Sequence, residues 1–433
     1  MGKYFPADAM KHVTATLERD KQVILAVIRR FGPISRERIH DLTRIRRSSI
    51  SSAVREWIRE GWLAECGRSN NAMGRKQVLL RLKEDHRFVA GVEFDDETVV
   101  AGVMDLHPRV LTTVTEAARL DHGREGLQKQ LIACVRKALS RAGVKANSLL
   151  GTGVADPGLV DSREGTTITS TTIDFWQQIP LRRVFERQFD VPVLVETRTR
   201  AKTVAERTLG ASEMPDSMIF VDYGSGIGAG IILDGKLLYG QSCAAGEFGH
   251  VQMIQDGPVC KCGSYGCLEA IAGCRAVEAR IRRAITEGGT SRALEMAGGD
   301  LAQLSGWTVF RAAREGDKIS SHIVVEIGAH LGRGLSNLVN LFNPSVVVLD
   351  SRLELAGDAL LDQIVQIIRR QALAHSSNGL TVRFAKLGNE GSLLGAGLMV
   401  LEKYFEIPVL KPPRFLIEPE VAMARAPQYV ENS

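Results

Sequence analysis

Glu247-Phe248-Gly249-His250, followed by Cys260-Lys261-Cys262-Gly263-Ser264-Tyr265-Gly266-Cys267-Leu268-Glu269, is the stretch that decides how this chain folds. Three of the seven cysteines crowd into residues 260–267. One residue separates Cys260 from Cys262, which makes a mutual disulfide awkward and shared ligation of a metal natural. One imidazole and three thiolates, from His250, Cys260, Cys262 and Cys267, form a Cys3His set with no open position, so the Zn2+ it implies is structural. An odd cysteine count with this clustering also favours metal over disulfides. Cys66, Cys134, Cys243 and Cys274 read as small core or surface residues. Metal ligation orders an otherwise floppy loop and fixes Glu247 and Glu269 against a cleft.

Upstream, Met218 to Val221 reads as a buried strand that runs into the glycine-rich turn Asp222-Tyr223-Gly224-Ser225-Gly226-Ile227-Gly228-Ala229-Gly230. From residue 86 strand runs alternate with helical ones, the pattern of an α/β fold. Phe88 to Phe94 and Val99 to Leu106 form a hairpin. Leu149 to Val154 is a buried strand ending at Asp156-Pro157-Gly158, and Val191 to Glu196 is another.

The first 85 residues have a different character. They hold 18 Lys and Arg against 10 Asp and Glu, net +8, whereas the remaining 348 hold 37 against 40, net −3. The formal charge of +5 therefore hides a basic segment on a mildly acidic body, a distribution suited to a polyanion partner. Val23, Ile24, Val27, Ile28 and Phe31 recur at helical spacing before Gly32-Pro33. Ser35 caps a second short helix with Ile39 and Leu42 inward. A third, Arg47 to Glu60, buries Ile50, Val54, Trp57 and Ile58, and Gly61 stops it. Its other face offers Arg47, Ser48, Ser49, Ser51, Ser52 and Arg55, short hydroxyls and arginines able to enter a major groove. Strand runs Trp62 to Cys66 and Gln77 to Leu82 flank a hairpin wing, where Arg75 and Lys76 suit a minor groove. This order is that of a winged helix-turn-helix over residues 1–85, with double-stranded DNA as its expected partner. A winged helix used for protein contacts is the alternative.

At 433 residues the chain is too long for one ordinary core, and its 44% apolar content can bury about three. No segment approaches the roughly 18 uninterrupted apolar residues of a membrane helix, and Pro6 and Asp8 stand where a signal peptide would need an apolar run. A cytoplasmic location is expected.

The Glu247–His250 and Cys260–Glu269 segments match the ExGH and CxCGxxGCxE signatures of the ROK family (repressors, open reading frames and sugar kinases). The chain resembles its branch with an N-terminal winged helix, which includes N-acetylglucosamine and xylose repressors. The resemblance covers about residues 20 to 405. It implies a two-lobed actin-like, hexokinase-type (ribonuclease H-like) body: a first α/β lobe over 86–209 completed by 392–407, a second over 210–391 with the zinc site and oligomerisation surface, and an irregular tail over 408–433.

Active family members carry a Gly-Gly-Thr phosphate turn where this chain has Asp95-Asp96-Glu97, three carboxylates that repel a triphosphate and lack glycine's freedom. The family's Glu-Asn-Asp-Ala-Asn, with Asp as general base, is here Glu196-Thr197-Arg198-Thr199-Arg200, and arginine cannot accept a proton. Leu349-Asp350-Ser351 replaces paired glycines near the adenosine. Three departures in one reaction point away from catalysis, with a sugar kinase that tolerates them as the alternative. The cleft then serves as a sensor for a sugar or sugar phosphate, with Glu247, His250 and Glu269 as acceptors and Thr172 in place of a family Asn. Arg198 and Arg200 either favour an anionic ligand by bidentate bonds or pair with Glu196, Glu247 or Glu269 and close the cleft. A closed cleft leaves a ligand-independent DNA-binding regulator. Helix-turn-helix proteins read inverted repeats as symmetric assemblies, so a homodimer or homotetramer joined through the zinc-bearing lobe is expected.

Overall fold

Apolar residues three and four apart give α1 (Ala15–Phe31) one inward face, where Val23, Ile24, Val27 and Ile28 are buried. The structure is a computed structural model, which describes residues 15–69, 76–211 and 214–406. After α1 come β1 (Ile34–Ser35) and α2 (Arg36–Thr43), whose cap is Ser35, its Oγ accepting from Arg38 N at 3.2 Å. Arg44 leaves α2 with a left-handed φ of 61°. The third helix, α3 (Arg47–Glu60), buries Ile50, Ala53, Val54 and Trp57 and ends at Gly61, φ 86°. Ile58 is exposed rather than inward. β2 (Leu63–Arg68) pairs antiparallel with β3 (Val78–Leu82), and β1 joins the far edge of β3. Three helices and a small sheet make a winged helix. Its two-residue strand β1 is too short to show periodicity in the sequence. Arg75 lies outside the described residues, as does the 408–433 tail.

The first large sheet comprises β4 (Phe88–Phe94), β5 (Thr98–Met104) and β6 (Val110–Ala117) as an antiparallel meander. Then come α4 (Gly123–Ala142), β7 (Leu149–Asp156), a hairpin of β8 (Leu159–Asp161) and β9 (Thr166–Thr169), α5 (Leu181–Phe189), β10 (Val193–Thr197) and α6 (Arg198–Ala205). β7 lies parallel to β4, and β10 parallel to β7, giving the order β10-β7-β4-β5-β6.

The second sheet repeats that plan. β11 (Met218–Tyr223), β12 (Ile227–Leu233) and β13 (Lys236–Leu237) run antiparallel. Helices α7 (Leu268–Ala272), α8 (Cys274–Thr286), α9 (Arg292–Met296), α10 (Gly306–Arg314) and α11 (Lys318–Phe342) precede β14 (Val346–Leu349). After α12 (Asp358–Gln371) and α13 (Ala374–Ser377), β15 (Thr381–Phe384) closes the order β13-β12-β11-β14-β15, with β14 and β15 parallel to the first strand. Two sheets built on one topology form the actin-like body. Among the described residues no helix is long and apolar enough to cross a membrane.

The last helix, α14 (Gly391–Tyr404), packs on α6 and the first sheet. A Cβ on Gly395 would stand 1.8 Å from Ala201 O, so the two helix backbones touch there. The winged helix is not a separate ball. Its core of Ile24, Ile50 and Leu80 continues through Val89, Met104 and Leu106 to Leu398, Leu401 and Phe405. The change near residue 85 is one of periodicity, and packing crosses it.

Candidate functional site

The loop after β13 folds back so that a 3-10 turn, Phe248–His250, meets the hairpin leading into α7. The ligand atoms of His250, Cys260, Cys262 and Cys267 all lie within 4.8 Å of one another. Cys262 Sγ is 3.8 Å from Cys267 Sγ, and Cys260 Sγ is 3.6 Å from His250 Nδ1. A tetrahedral ion with metal–sulfur bonds of about 2.3 Å sets its sulfurs about 3.8 Å apart, the separation of Cys262 and Cys267, so the donor set fits a metal ion. Cys260 and Cys267 are buried, His250 half-buried and Cys262 exposed. The other imidazole nitrogen, Nε2, faces Glu247 Oε2 at 3.9 Å.

Glu269 is half-buried, and its Oε2 accepts Ile227 N at 3.0 Å, tying α7 to the start of β12. Glu247 keeps its side chain half exposed at the mouth. Burial of its inner side pushes this carboxyl up, against the opposing pull of His250 and Arg200. Thr172 is held locally: its Oγ1 lies 3.1 Å from Ser170 Oγ, which also accepts Thr172 N at 3.2 Å. Beneath it the fully buried Asp156 takes Trp176 Nε1 at 2.8 Å, Thr167 Oγ1 at 2.6 Å and Gly158 N at 2.7 Å. The sequence placed Asp156 at the end of a buried strand without a role. Its task is to hold the Trp176 segment onto β7.

Of the two alternatives for the arginines, the structure has both paired with carboxylates: Arg200 with Glu196, one of the expected partners, and Arg198 with Asp95 and Glu93, which were not expected. Arg200 Nη1 lies 2.6 Å from Glu196 Oε1, and its Nη2 donates to the carbonyls of Cys243 and Ala245. The spacing of four across the start of α6 brings this pair together, and both side chains are almost wholly buried. Arg198 Nη1 lies 2.9 Å from Asp95 Oδ2, and its Nε 3.7 Å from Glu93 Oε2 at the end of β4. Burial opposes its charge, yet Glu93 and Asp95 raise the Arg198 pKa further.

A third cation on the same helix completes a row that sequence reasoning missed. Lys202 Nζ lies 2.6 Å from Asp222 Oδ1 and 2.8 Å from Asp350 Oδ2. Arg352 Nε reaches Asp350 Oδ1 at 3.0 Å, and its guanidinium sits beside Gly224 at the mouth of the glycine-rich turn. Although burial opposes ionisation of Asp350, Lys202 and Arg352 hold its carboxyl well below the usual range. The only sequence signal for this cluster was Asp350 itself, where a glycine pair was expected.

On the winged helix, Arg47, Ser48, Ser52 and Arg55 are exposed and Ser51 half-buried on the outer face of α3, with Lys76 exposed at the foot of the wing. Arg47 Nη2 approaches Glu37 Oε1 at 3.5 Å. Ser49 is half-buried, and with Ser52 it lines a shallow recess between α3 and Asp20, Lys21 and Ile24 of α1. Arg44 and Arg46, overlooked in the connection to α3, are exposed beside its first turn.

The ROK family model matches residues 89–403. The xylose repressor of Caldicellulosiruptor bescii is 27% identical over 399 residues, covering 92% of this chain and 99% of that protein. The Escherichia coli K12 DNA-binding transcriptional dual regulator NagC is 27% identical over 391 residues, covering 90% and 94%. Among solved structures, a ROK family transcriptional regulator homologous to the E. coli MLC protein superposes with TM-score 0.78 at 24% identity, covering 90% of this chain and 98% of that one. A Streptomyces griseus ROK glucokinase in complex with glucose and AMPPNP gives TM-score 0.64 at 30% identity, covering 72% and 98%.

Proposed function

Because the chain belongs to the ROK family, we propose that it is a DNA-binding transcriptional regulator, most simply a repressor of carbohydrate genes, in which the kinase-like cleft senses a sugar and performs no phosphoryl transfer. The observation that carries the second half is the Asp95–Arg198 ion pair. It joins the position assigned to the phosphate turn with the position assigned to the general base. A guanidinium locked onto carboxylates can neither take a hydroxyl proton nor leave a cradle for nucleotide oxygens. The regulator reading is supported by the winged helix and by relatives named as a xylose repressor and a DNA-binding transcriptional dual regulator, each matching nine-tenths of the chain or more.

The same reading divides the chain into the reader over 1–85, a first lobe over 86–209 with 392–407, and a second lobe over 210–391. It assigns Arg47, Ser48, Ser49, Ser51, Ser52, Arg55, Arg75 and Lys76 to DNA, and Glu247, His250, Glu269 and Thr172 to the hydroxyls of a neutral sugar. With Arg198 and Arg200 neutralised, carboxylates dominate the cleft and a phosphorylated ligand is disfavoured. Zinc is the metal inferred for His250, Cys260, Cys262 and Cys267; when bound, it anchors the loop carrying Glu247 to the start of α7. A homodimer or homotetramer brings two readers to an inverted repeat.

The internally paired cleft favours one second reading, a regulator whose DNA affinity responds to no metabolite. Selection of bound duplexes from random DNA by the full chain, repeated with a neutral-sugar mixture, separates the two. A selected inverted repeat whose retention changes with sugar supports the first reading. Retention without change supports the second, and no enrichment overturns both.

A further inference from the structure

Tyr404, in the last turn of α14, stacks on Trp62 of the winged helix with ring centroids 5.8 Å apart and planes 15° from parallel. Trp62 also meets His86 edge-on at 4.8 Å. At the end of α1, Arg29 Nη1 donates to Leu401 O at 3.4 Å, and its guanidinium lies 4.8 Å over the Phe405 ring. The reader is thus mounted on the C-terminal end of a body helix through an aromatic stack, a carbonyl contact and a cation–π pair. Neither Arg29 nor Tyr404 belongs to the buried core of the reader itself.

The other end of α14 lies under the cleft. Gly395 rests on Ala201 O of α6, and Gly391 approaches the Lys202 side chain. The same α6 bears Arg198, Arg200 and Lys202, whose partners lie at the end of β4 and in the turn after it, in the 243–245 loop, on β11 and just after β14. A fourteen-residue helix spans about 21 Å, and close-packed interiors transmit displacement instead of absorbing it. With backbone against backbone at Gly395, α6 has no slack in which to move alone.

We propose that α14 is the mount that positions the DNA reader: Arg29 and Trp62, seated on Leu401, Tyr404 and Phe405, fix α3 relative to the body and so set the half-site separation that an assembly of this chain recognises. The inference rests on the DNA-binding reading above and adds the residues that set geometry, as distinct from those that touch bases. Movement of α6 at the cleft reaches the reader along this helix.

The test uses the full chain as wild type, Tyr404→Ala and Tyr404→Phe. Duplexes carry either one half-site, taken from the wild-type selection, or two half-sites at a graded series of separations, with affinity read by fluorescence anisotropy. Tyr404 lies on the body, so its truncation leaves the reader fold intact. Tyr404→Ala is expected to bind the single half-site as wild type does, because Tyr404 is not among the residues assigned to DNA, while its preference among separations flattens. Tyr404→Phe keeps the ring and restores the wild-type profile. An unchanged profile in Tyr404→Ala overturns the mount, as does an equal loss on one and two half-sites, or a wild type indifferent to separation. A wild type that retains no duplex at all overturns the DNA-binding reading and this inference with it, a result distinguishable from the other three.

Discussion

Arg198 Nη1 stands 2.9 Å from Asp95 Oδ2, bridging the start of α6 and the turn after β4. Each residue alone reads as a lost function, a base that cannot accept a proton and a phosphate turn made of carboxylates. Together they form one substitution in two parts, since either charge left alone would face a largely buried wall. Glu93, buried at the end of β4 with its carboxyl pushed up by desolvation, gains from the same guanidinium.

Arg198→Met should therefore destabilise the body. A fully buried pair broken at one end costs about 3–5 kcal/mol. Arg198 and Asp95 retain 20% and 22% of their side-chain exposure, so roughly 2 kcal/mol is expected after screening. Urea unfolding reads this, and adding Asp95→Asn to Arg198→Met should recover part of the loss. Strict additivity of the two changes would show that the pair is not coupled.

Zinc content should be one per chain, and Cys262→Ser should release it. Cys262 is the exposed ligand of the four, so its loss opens the site without creating a core cavity. Elemental analysis and thermal unfolding follow the change, and a lower melting temperature is expected both in the variant and in wild type treated with chelator. Full metal content in Cys262→Ser would remove it from the ligand set.

Acid unfolding should depend on Lys202. Asp350 is held below its ordinary range in the folded chain, so it contributes stability that is present above about pH 3.9, the ordinary value for the unfolded chain, and is lost as pH falls through the folded value. Lys202→Met removes the cation nearest Asp350 Oδ2, raises that carboxyl, and should move the acid-unfolding midpoint to higher pH. Glu93 acts with the opposite sign, because burial raises it. An unmoved midpoint would assign acid stability elsewhere.

On the reader, Ser48→Ala should alter base preference with little change in salt dependence. Arg55→Ala, if its contact is to phosphate, should weaken all duplexes alike and lower the salt slope by about 1. An unchanged preference in Ser48→Ala would remove that residue from the DNA face.

Much of this was legible in the sequence for identifiable reasons. Metal ligands are local and few in kind, so His250, Cys260, Cys262 and Cys267 were readable from spacing, and they do come together. Helical periodicity placed Ile50, Val54 and Trp57 on the inward face of α3, but not Ile58, which is exposed near the helix end where the pattern has no further turn to constrain it. The partners of Arg198 and Lys202 were not legible. Asp95 is 103 residues from Arg198, and Asp350 is 148 from Lys202, and only the repeated sheet topology brings strand ends from both lobes onto α6. Contact between Trp62 and Tyr404 was hidden for the same reason.

The most direct measurement is ADP release by the purified full chain, supplied with ATP, magnesium and a panel of neutral sugars, with a ROK glucokinase run alongside as positive control. The account predicts a rate indistinguishable from the sugar-free background for every sugar. Release that rises with sugar concentration and saturates would contradict it, because Arg198 would then have to leave Asp95 and Glu93 for the nucleotide to enter.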